Sequence, residues 1–226
     1  FFKQKTAYEI SACLVGLGDV YKRQITKYVD DDILVLEKPS GLLTVPGRIV
    51  KDSVLTRVLP TYRTATVVHR LDLDTSGLLV LSLSKEATRE LNRKFREREV
   101  LKEYAATAFG VFKQPKGEIS LGIRPDPVNR PKQVIDSLGG KPACTRYELL
   151  RVHGGHSELL LTPLTGRSHQ LRIHLAAVGH PILGCDLYAH EEARQLSNRL
   201  QLHAAKIIFQ HPTTQKPMSF SSQVPF

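Results

Sequence analysis

Between residues 67 and 81 the chain runs apolar, then polar, then apolar again, and this interruption constrains the fold more than any other feature of the sequence. Val67 and Val68 make one β-competent run and Leu78 to Leu81 another, with His69-Arg70-Leu71-Asp72-Leu73-Asp74-Thr75-Ser76-Gly77 between them. Thr75, Ser76 and Gly77 are small and turn-forming, so the segment reads as strand, turn, strand, with an arginine and a carboxylate at the bend. Asp72 is therefore expected at a strand end facing a cleft. A loop Asp more commonly caps a turn or pairs with a surface lysine, so residue type alone does not assign it chemistry.

Other short β-type runs fall at residues 33–36, 104–108, 146–152, 158–162 and 204–209, with the runs at the bend covering 67–69 and 78–83. Two stretches carry helical spacing. The first opens at Ser84, a good N-cap, with Ala87, Leu91 and Phe95 as its apolar stripe. Its other faces carry Arg89, Arg93, Lys94, Arg96 and Arg98, which suggests a basic face turned outward; a solvated structural helix fits the same pattern. The second lies between Gly166 and Gly179, with Leu171, Leu175 and Val178 as its stripe and Gly179 as terminator. Strand-rich order without strict βαβ alternation predicts an α+β fold around a mixed, mostly antiparallel sheet.

With 226 residues and 41% hydrophobic content the chain can bury a real core. No apolar run approaches the roughly 20 residues that span a bilayer, so no membrane helix is expected. A net charge of +10 favours an acidic partner, and nucleic acid is the usual one. Cys13, Cys144 and Cys185 are odd in number and widely spaced, neither a disulfide framework nor a zinc pattern, which fits a reducing cytoplasm. Residues 1–24 show no regular period, begin without Met and look like adaptor read-through. They are expected to be a non-native segment, with a single domain over 25–226. A monomer is the default expectation.

Arg172 supplies the best physical argument available from residues alone. A guanidinium keeps its proton, so an Arg within so apolar a helix needs a carboxylate or phosphate if buried, unless it snorkels to water. Asp72 is the natural partner, and the pair would hold a carboxylate in a dry pocket as a nucleophile requires. Tyr104 heads an apolar strand and by default is a core tyrosine. The Pro-rich, basic stretch 124–132 reads as a loop, and Arg130 and Lys132 in it could touch phosphate. Lys38-Pro39-Ser40-Gly41 lacks the spacing of a nucleotide cradle and is read as structural. His169 and His174 are five apart, which is not a one-turn metal spacing, and no metal is expected.

The segment HRLDLDTSGLLVLSLSKEATRELNRKFREREVLKEYAA resembles the catalytic segment of the RluA family of RNA pseudouridine synthases. YVDDDILVLEKPSGLLTVPGR and LTGRSHQLRIHLAAVGHPILGCDLY are similar to that family's first and third motifs, and the blocks follow in family order. The resemblance implies the pseudouridine synthase fold, a sheet in two halves with a central cleft and flanking helices. It implies isomerisation of uridine in structured RNA without cofactor, by base flipping. The overall likeness is to small members that act on ribosomal and transfer RNA and lack an appended RNA-binding domain. Asp72 matches the family's essential aspartate, Arg172 its ion-pair partner, and Tyr104 the tyrosine that stacks on the base. Arg70 matches a residue that helps displace the nucleotide; His69 and Arg167 are grouped with it as RNA contacts. The rival readings are a non-catalytic RNA-binding module, a basic hydrolase, and a synthase acting on only one of the two RNA classes.

Overall fold

The computed structural model describes residues 26–226. The expectation for residues 1–24, and Cys13 with it, lies outside the described residues.

In chain order the elements are β1 (Thr26–Val29), β2 (Ile33–Lys38), α1 (Val54–Val58), β3 (Thr66–Val67), β4 (Ser76–Ser82), α2 (Lys85–Glu97), β5 (Leu101–Ala108), β6 (Lys116–Ser120), β7 (Ile123–Pro125), β8 (Gln133–Ile135), β9 (Cys144–His153), β10 (His156–Pro163), α3 (Gln170–Ala177), α4 (Glu191–Gln195), β11 (Leu202–Gln210) and β12 (Pro217–Ser221). Ten strands form one sheet, ordered β1-β2-β4-β11-β5-β10-β9-β6 with β12 on β11 and β3 on β4, while β7 and β8 make a separate hairpin. Every pairing is antiparallel except β4 with β11. The mixed, mostly antiparallel α+β sheet expected from the sequence is the observed one.

The continuous apolar runs on β2 and β4 follow from burial on both faces. Ile33, Val35, Leu78 and Val80 pack beneath α2 with Leu91, Ile207 and Phe209. Leu34, Leu36, Leu79 and Leu81 face the other way, onto Val54 and Val58 of α1. The second half of the sheet has its own core, where Leu171 and Leu175 of α3 cover Ala106, Leu159, Leu161 and Leu202. Tyr104 packs against both of these latter clusters, so it marks the junction between the two halves.

The halves are joined where β11 runs beside β4. Ala204 lies opposite Gly77 in that parallel pair. A Cβ on Gly77 would meet the Ala204 carbonyl oxygen at 2.4 Å, and its φ is +112°, so only glycine allows the approach. Ser76 and Gly77 therefore open strand β4 rather than completing the turn, and Asp72 sits in the preceding loop rather than at the strand's end. Pairing on the other side of that loop is confined to Thr66 and Val67, shorter than the 67–69 run.

The helices depart from expectation at two positions. Lys94, placed on the outer basic face from the sequence, is 1% exposed. Its ammonium reaches Gln215 Oε1 at 3.2 Å and Glu90 at 3.3 Å, so a long stem is buried while its head is paired. Arg93 beside it contacts Glu90, Glu97 and Glu99, which leaves this part of the face charge-balanced rather than basic. Val178, assigned to the core stripe of α3, is the C-cap residue and is 41% exposed. Gly179 at φ +86° follows it as the terminator, as expected. None of the described helices is long and apolar enough to cross a membrane.

Candidate active site

The loop carrying Asp72 is held from beneath by the turn that follows β2. Lys38 Nζ donates to the carbonyls of Pro39, Leu42 and Leu73 at 2.8, 2.7 and 2.8 Å. Ser40 Oγ donates to the Asp74 carbonyl at 2.8 Å, and the Gly41 amide to the Leu73 carbonyl at 3.0 Å. Thr44 Oγ1 donates to the Leu71 carbonyl at 2.8 Å and accepts from the Leu71 amide at 3.2 Å. Residues 71, 73 and 74 are thus fixed through their backbone, leaving side chains free for chemistry. Burial pushes the Lys38 ammonium down to about 8, opposed by the carboxylates of Asp74 and Asp72. Burial likewise raises the Asp74 carboxyl, and Asp186 adds to the rise.

Arg172 comes to this loop from α3, on the far side of the cleft. Its side chain is 2% exposed, and Nη1 lies 3.9 Å from Asp72 Oδ2, whose own side chain is 28% exposed. The expected pair is therefore present as a loose ionic contact, outside direct hydrogen-bond range. The closer carboxylate partner is Asp186, which accepts a short hydrogen bond from Arg172 Nη2. Cys185 Sγ lies 3.4 Å from both Nε and Nη2, and the guanidinium carbon sits 5.6 Å from the Tyr188 ring centroid. These neighbours satisfy the planar fork of a buried Arg from several sides, which removes the snorkelling alternative.

Tyr104 enters from β5, opposite Leu161 of β10 and Ala204 of β11. Burial, with the Asp72 charge adding, pushes its hydroxyl well above the usual tyrosine range. It stays a neutral phenol at physiological pH, suited to stacking and hydrogen bonding. His169 completes the arrangement, with Nε2 4.0 Å from Asp72 Oδ1.

The RNA-contacting residues expected from the sequence are spread more widely. Arg70 is exposed two positions before Asp72. His69 is turned inward instead: Nε2 accepts from the Val80 amide at 3.0 Å, and the ring stacks on Phe95 at 4.6 Å. Burial depresses its pKa to about 3, so the ring is neutral and serves packing rather than phosphate contact. Arg167 donates through Nε to the Pro142 carbonyl at 3.2 Å, just ahead of α3. Arg130 is exposed and Lys132 half-buried at the tip of the β7–β8 hairpin, which Tyr188 ties to this site through the Gln133 amide at 2.9 Å. A separate cleft of about 380 Å³ on β6, β9 and β10 shares no residue with this site. Its charges pair among themselves, Lys116 with Glu148 and Arg146 with Glu118.

The model of the family described as RNA pseudouridylate synthase matches residues 32–177, more than half of the chain and including Asp72, Tyr104 and Arg172. The chain belongs to that family. Among curated members of the RNA pseudouridylate synthase family, the dual-specificity RNA pseudouridine synthase RluA of Yersinia pestis is 49% identical over 205 residues, 89% of this chain and 100% of the relative. The protein of the same name from Escherichia coli strain K12 is 48% identical, covering 88% of this chain and 92% of the relative. Among solved structures, human RNA pseudouridylate synthase domain containing 1 superposes with a TM-score of 0.76 at 29% identity, covering 89% of this chain and 84% of its own. Human RNA pseudouridylate synthase domain containing 4 shares the fold, with a TM-score of 0.72 at 24% identity.

The structure brings Asp72 and Arg172 within 3.9 Å of each other, with Tyr104 near enough to feel the Asp72 charge. Asp186, Tyr188 and the His169 imidazole were not singled out for this site beforehand. The available signal was the Gly184-Cys185-Asp186-Leu187-Tyr188 stretch, a second carboxylate and a tyrosine close after the arginine helix. Gly184 marks it further, because at φ +70° an added Cβ would meet the Arg199 carbonyl oxygen at 2.0 Å.

Proposed function

We infer that this protein isomerises specific uridines in structured RNA to pseudouridine, with ribosomal and transfer RNA stem-loops as its substrates. The observation that carries the reading is the Asp72 carboxylate facing a buried guanidinium across the junction of two half-sheets, with Tyr104 beside it. The curated relatives named as dual-specificity synthases support both RNA classes. A net charge of +10 suits a phosphate-bearing partner, and the cytoplasm is where such RNA is met.

In the reaction the C1′–N1 bond breaks, the uracil turns within the pocket, and a C1′–C5 bond forms. The proton originally on C5 is released, and N1 gains one. A uridine stacked in a stem-loop must first be extruded, at a cost of a few kcal/mol that is least in a loop. The exposed Arg70 is suited to fill the vacated stack. Arg130, Lys132 and Arg167 are suited to hold backbone phosphates, which position the RNA without reading its sequence. Asp72 then acts as the nucleophile: its carboxylate bonds C1′ as the C1′–N1 electron pair leaves with the uracil, and it is displaced when C5 attacks C1′, with Arg172 balancing its charge and the bound RNA excluding water. The neutral Tyr104 ring stacks on the detached uracil and keeps it from escaping. No step calls for a cofactor.

The test is tritium release from RNA carrying 5-tritiated uridine. Wild-type protein is expected to release one tritium per pseudouridine formed, and Asp72→Asn none above background. RNA binding by the wild type without release, or free uracil as the product, overturns the reading.

A further inference from the structure

Beside Asp72 runs a chain of hydrogen bonds whose direction is fixed at its starting end. The Gln133 backbone N–H can only donate, and it donates to Tyr188 Oη at 2.9 Å. Tyr188 Oη and His169 Nδ1 are 2.7 Å apart. Besides the Gln133 amide, His169 Nδ1 is the one protein atom among the described residues that bonds to the half-buried Tyr188 hydroxyl. Burial holds the Tyr188 phenol up at about 12, so that proton is present at neutral pH. With the Tyr188 proton directed at Nδ1, that nitrogen accepts, and a neutral imidazole then carries its hydrogen on Nε2. Burial, the largest influence on His169, lowers its pKa and favours that neutral form, although the charge of Asp72 opposes the shift. The Nε2 that bears the hydrogen is the atom 4.0 Å from Asp72 Oδ1.

The backbone at this residue supports a built arrangement. His169 is the N-cap of α3, yet it adopts a left-handed φ of 55° and makes no side-chain cap bond. A non-glycine residue held there is costly, and such conformations persist where surrounding structure requires them. Here the twist turns the imidazole away from the helix end and toward Tyr188 and Asp72. His69, His174 and His203 are buried or half-buried and satisfied within the fold, and His211 bonds Asp30 at 2.9 Å far from this loop, whereas His169 directs a ring nitrogen at Asp72 without a direct bond.

We propose that His169 is a positioning residue for Asp72: Tyr188 locks its imidazole in the Nε2–H tautomer, and that N–H orients the carboxylate opposite Arg172. The proposal rests on the assignment of Asp72 as nucleophile and adds two residues to the site. The 4.0 Å gap shortens to a hydrogen bond when a flipped uridine closes the cleft, as catalytic contacts commonly do on substrate binding. Two donors from one turn of α3 then hold the two carboxylate oxygens, Nε2–H on one and Nη1–H on the other. The relay begins on β8, so it also joins the site to the hairpin that carries Arg130 and Lys132.

The tautomer is measured directly, and independently of activity, in the full chain labelled with 15N-histidine. Two-bond nitrogen–proton correlations at neutral pH are expected to show His169 neutral, with hydrogen on Nε2. Tyr188→Phe is expected to shift His169 toward a mixture of tautomers and to lower kcat about tenfold, with KM within about twofold. His169→Leu removes the donor and is expected to cost about thirtyfold in kcat. His169→Gln keeps an N–H near the Nε2 position and is expected to recover most of that loss; Gln215 already sits at φ 56° in this chain, so the backbone accepts the residue. An imidazolium or an Nδ1–H tautomer in the wild type overturns the proposal, as does a Tyr188→Phe or His169→Leu protein with unchanged kcat. Absence of tritium release from the wild type would instead remove the synthase reading and the positioning role with it, while the tautomer spectrum still decides whether Tyr188 locks His169.

Discussion

Two arginines in this molecule are surrounded by carboxylates, and they stand in opposite environments. Arg93 on α2 contacts Glu90, Glu97 and Glu99, with Nη2 to Glu90 Oε1 at 2.7 Å and Nη1 to Glu99 Oε1 at 2.7 Å. Arg172 on α3 has one short partner, Asp186, and one distant one, Asp72 at 3.9 Å. By number and length of contacts Arg93 is the better bound. Yet its side chain is 34% exposed and its partners can all turn to water, whereas Arg172 is 2% exposed. In high dielectric a close ion pair is worth little, while in a dry site even a loose one governs what a carboxylate can do. The difference teaches that burial and incomplete pairing, rather than the count of bonds, single out Arg172 for the proposed role.

The comparison is tested hardest at Asp72. Asp72→Asn preserves shape and removes the charge, and it is expected to reduce tritium release at least about a thousandfold with folding intact, as judged by circular dichroism. A residual activity within tenfold of wild type would mean that the Arg172 cluster is no more functional than that of Arg93. Next in size is Arg172→Lys. The ammonium keeps the charge but cannot face Asp72, Asp186 and Cys185 at once, and kcat/KM is expected to fall about a hundredfold in steady-state assays. Asp186→Asn sharpens the contrast further. Asp186 anchors Arg172 through Nη2 and leaves Nη1 toward Asp72, but its own side chain is 55% exposed. The expected result is about a tenfold loss in kcat with little change in melting temperature, because an exposed partner adds little stability.

The sequence made one side of this comparison readable and left the other hidden. Asp72 and Arg172 each lie in a contiguous motif, and a guanidinium within Leu171, Ile173 and Leu175 already demands a counter-charge. The sheet was legible for a related reason: runs such as 33–36 and 78–81 are buried on both faces, so hydrophobicity alone reports them. Asp186 and Tyr188 reach Arg172 through the turn at Gly184; the stretch after that glycine is a local signal, but the return itself depends on Gly184 fitting against the distant Arg199 carbonyl. Lys94 shows the converse failure. Its charge suggested an outer face, but Glu90, Glu99 and Gln215 close over it from helix, turn and the distant segment before β12. Charge in a sequence gives no sign of which stems will be covered by a segment over a hundred residues away.

The smallest expected effect falls on the arginine with the most bonds. Arg93→Gln removes every contact to Glu90, Glu97 and Glu99 and leaves Lys94 to share the freed carboxylates. Each of the three glutamates can be rehydrated where it stands, and glutamine retains the helix-forming character of the site. The melting temperature at moderate salt is therefore expected to stay within about 2 °C of wild type, and tritium release to be unchanged. Measurement at low salt sharpens the point, since a screened surface cluster should matter more there, whereas the buried Arg172 contacts should respond far less to salt. If Arg93→Gln instead destabilised the protein more than Asp186→Asn slowed it, the buried cluster would lose its special standing. Catalytic importance in this fold would then have to be sought on the outer face of α2 and not beside Asp72.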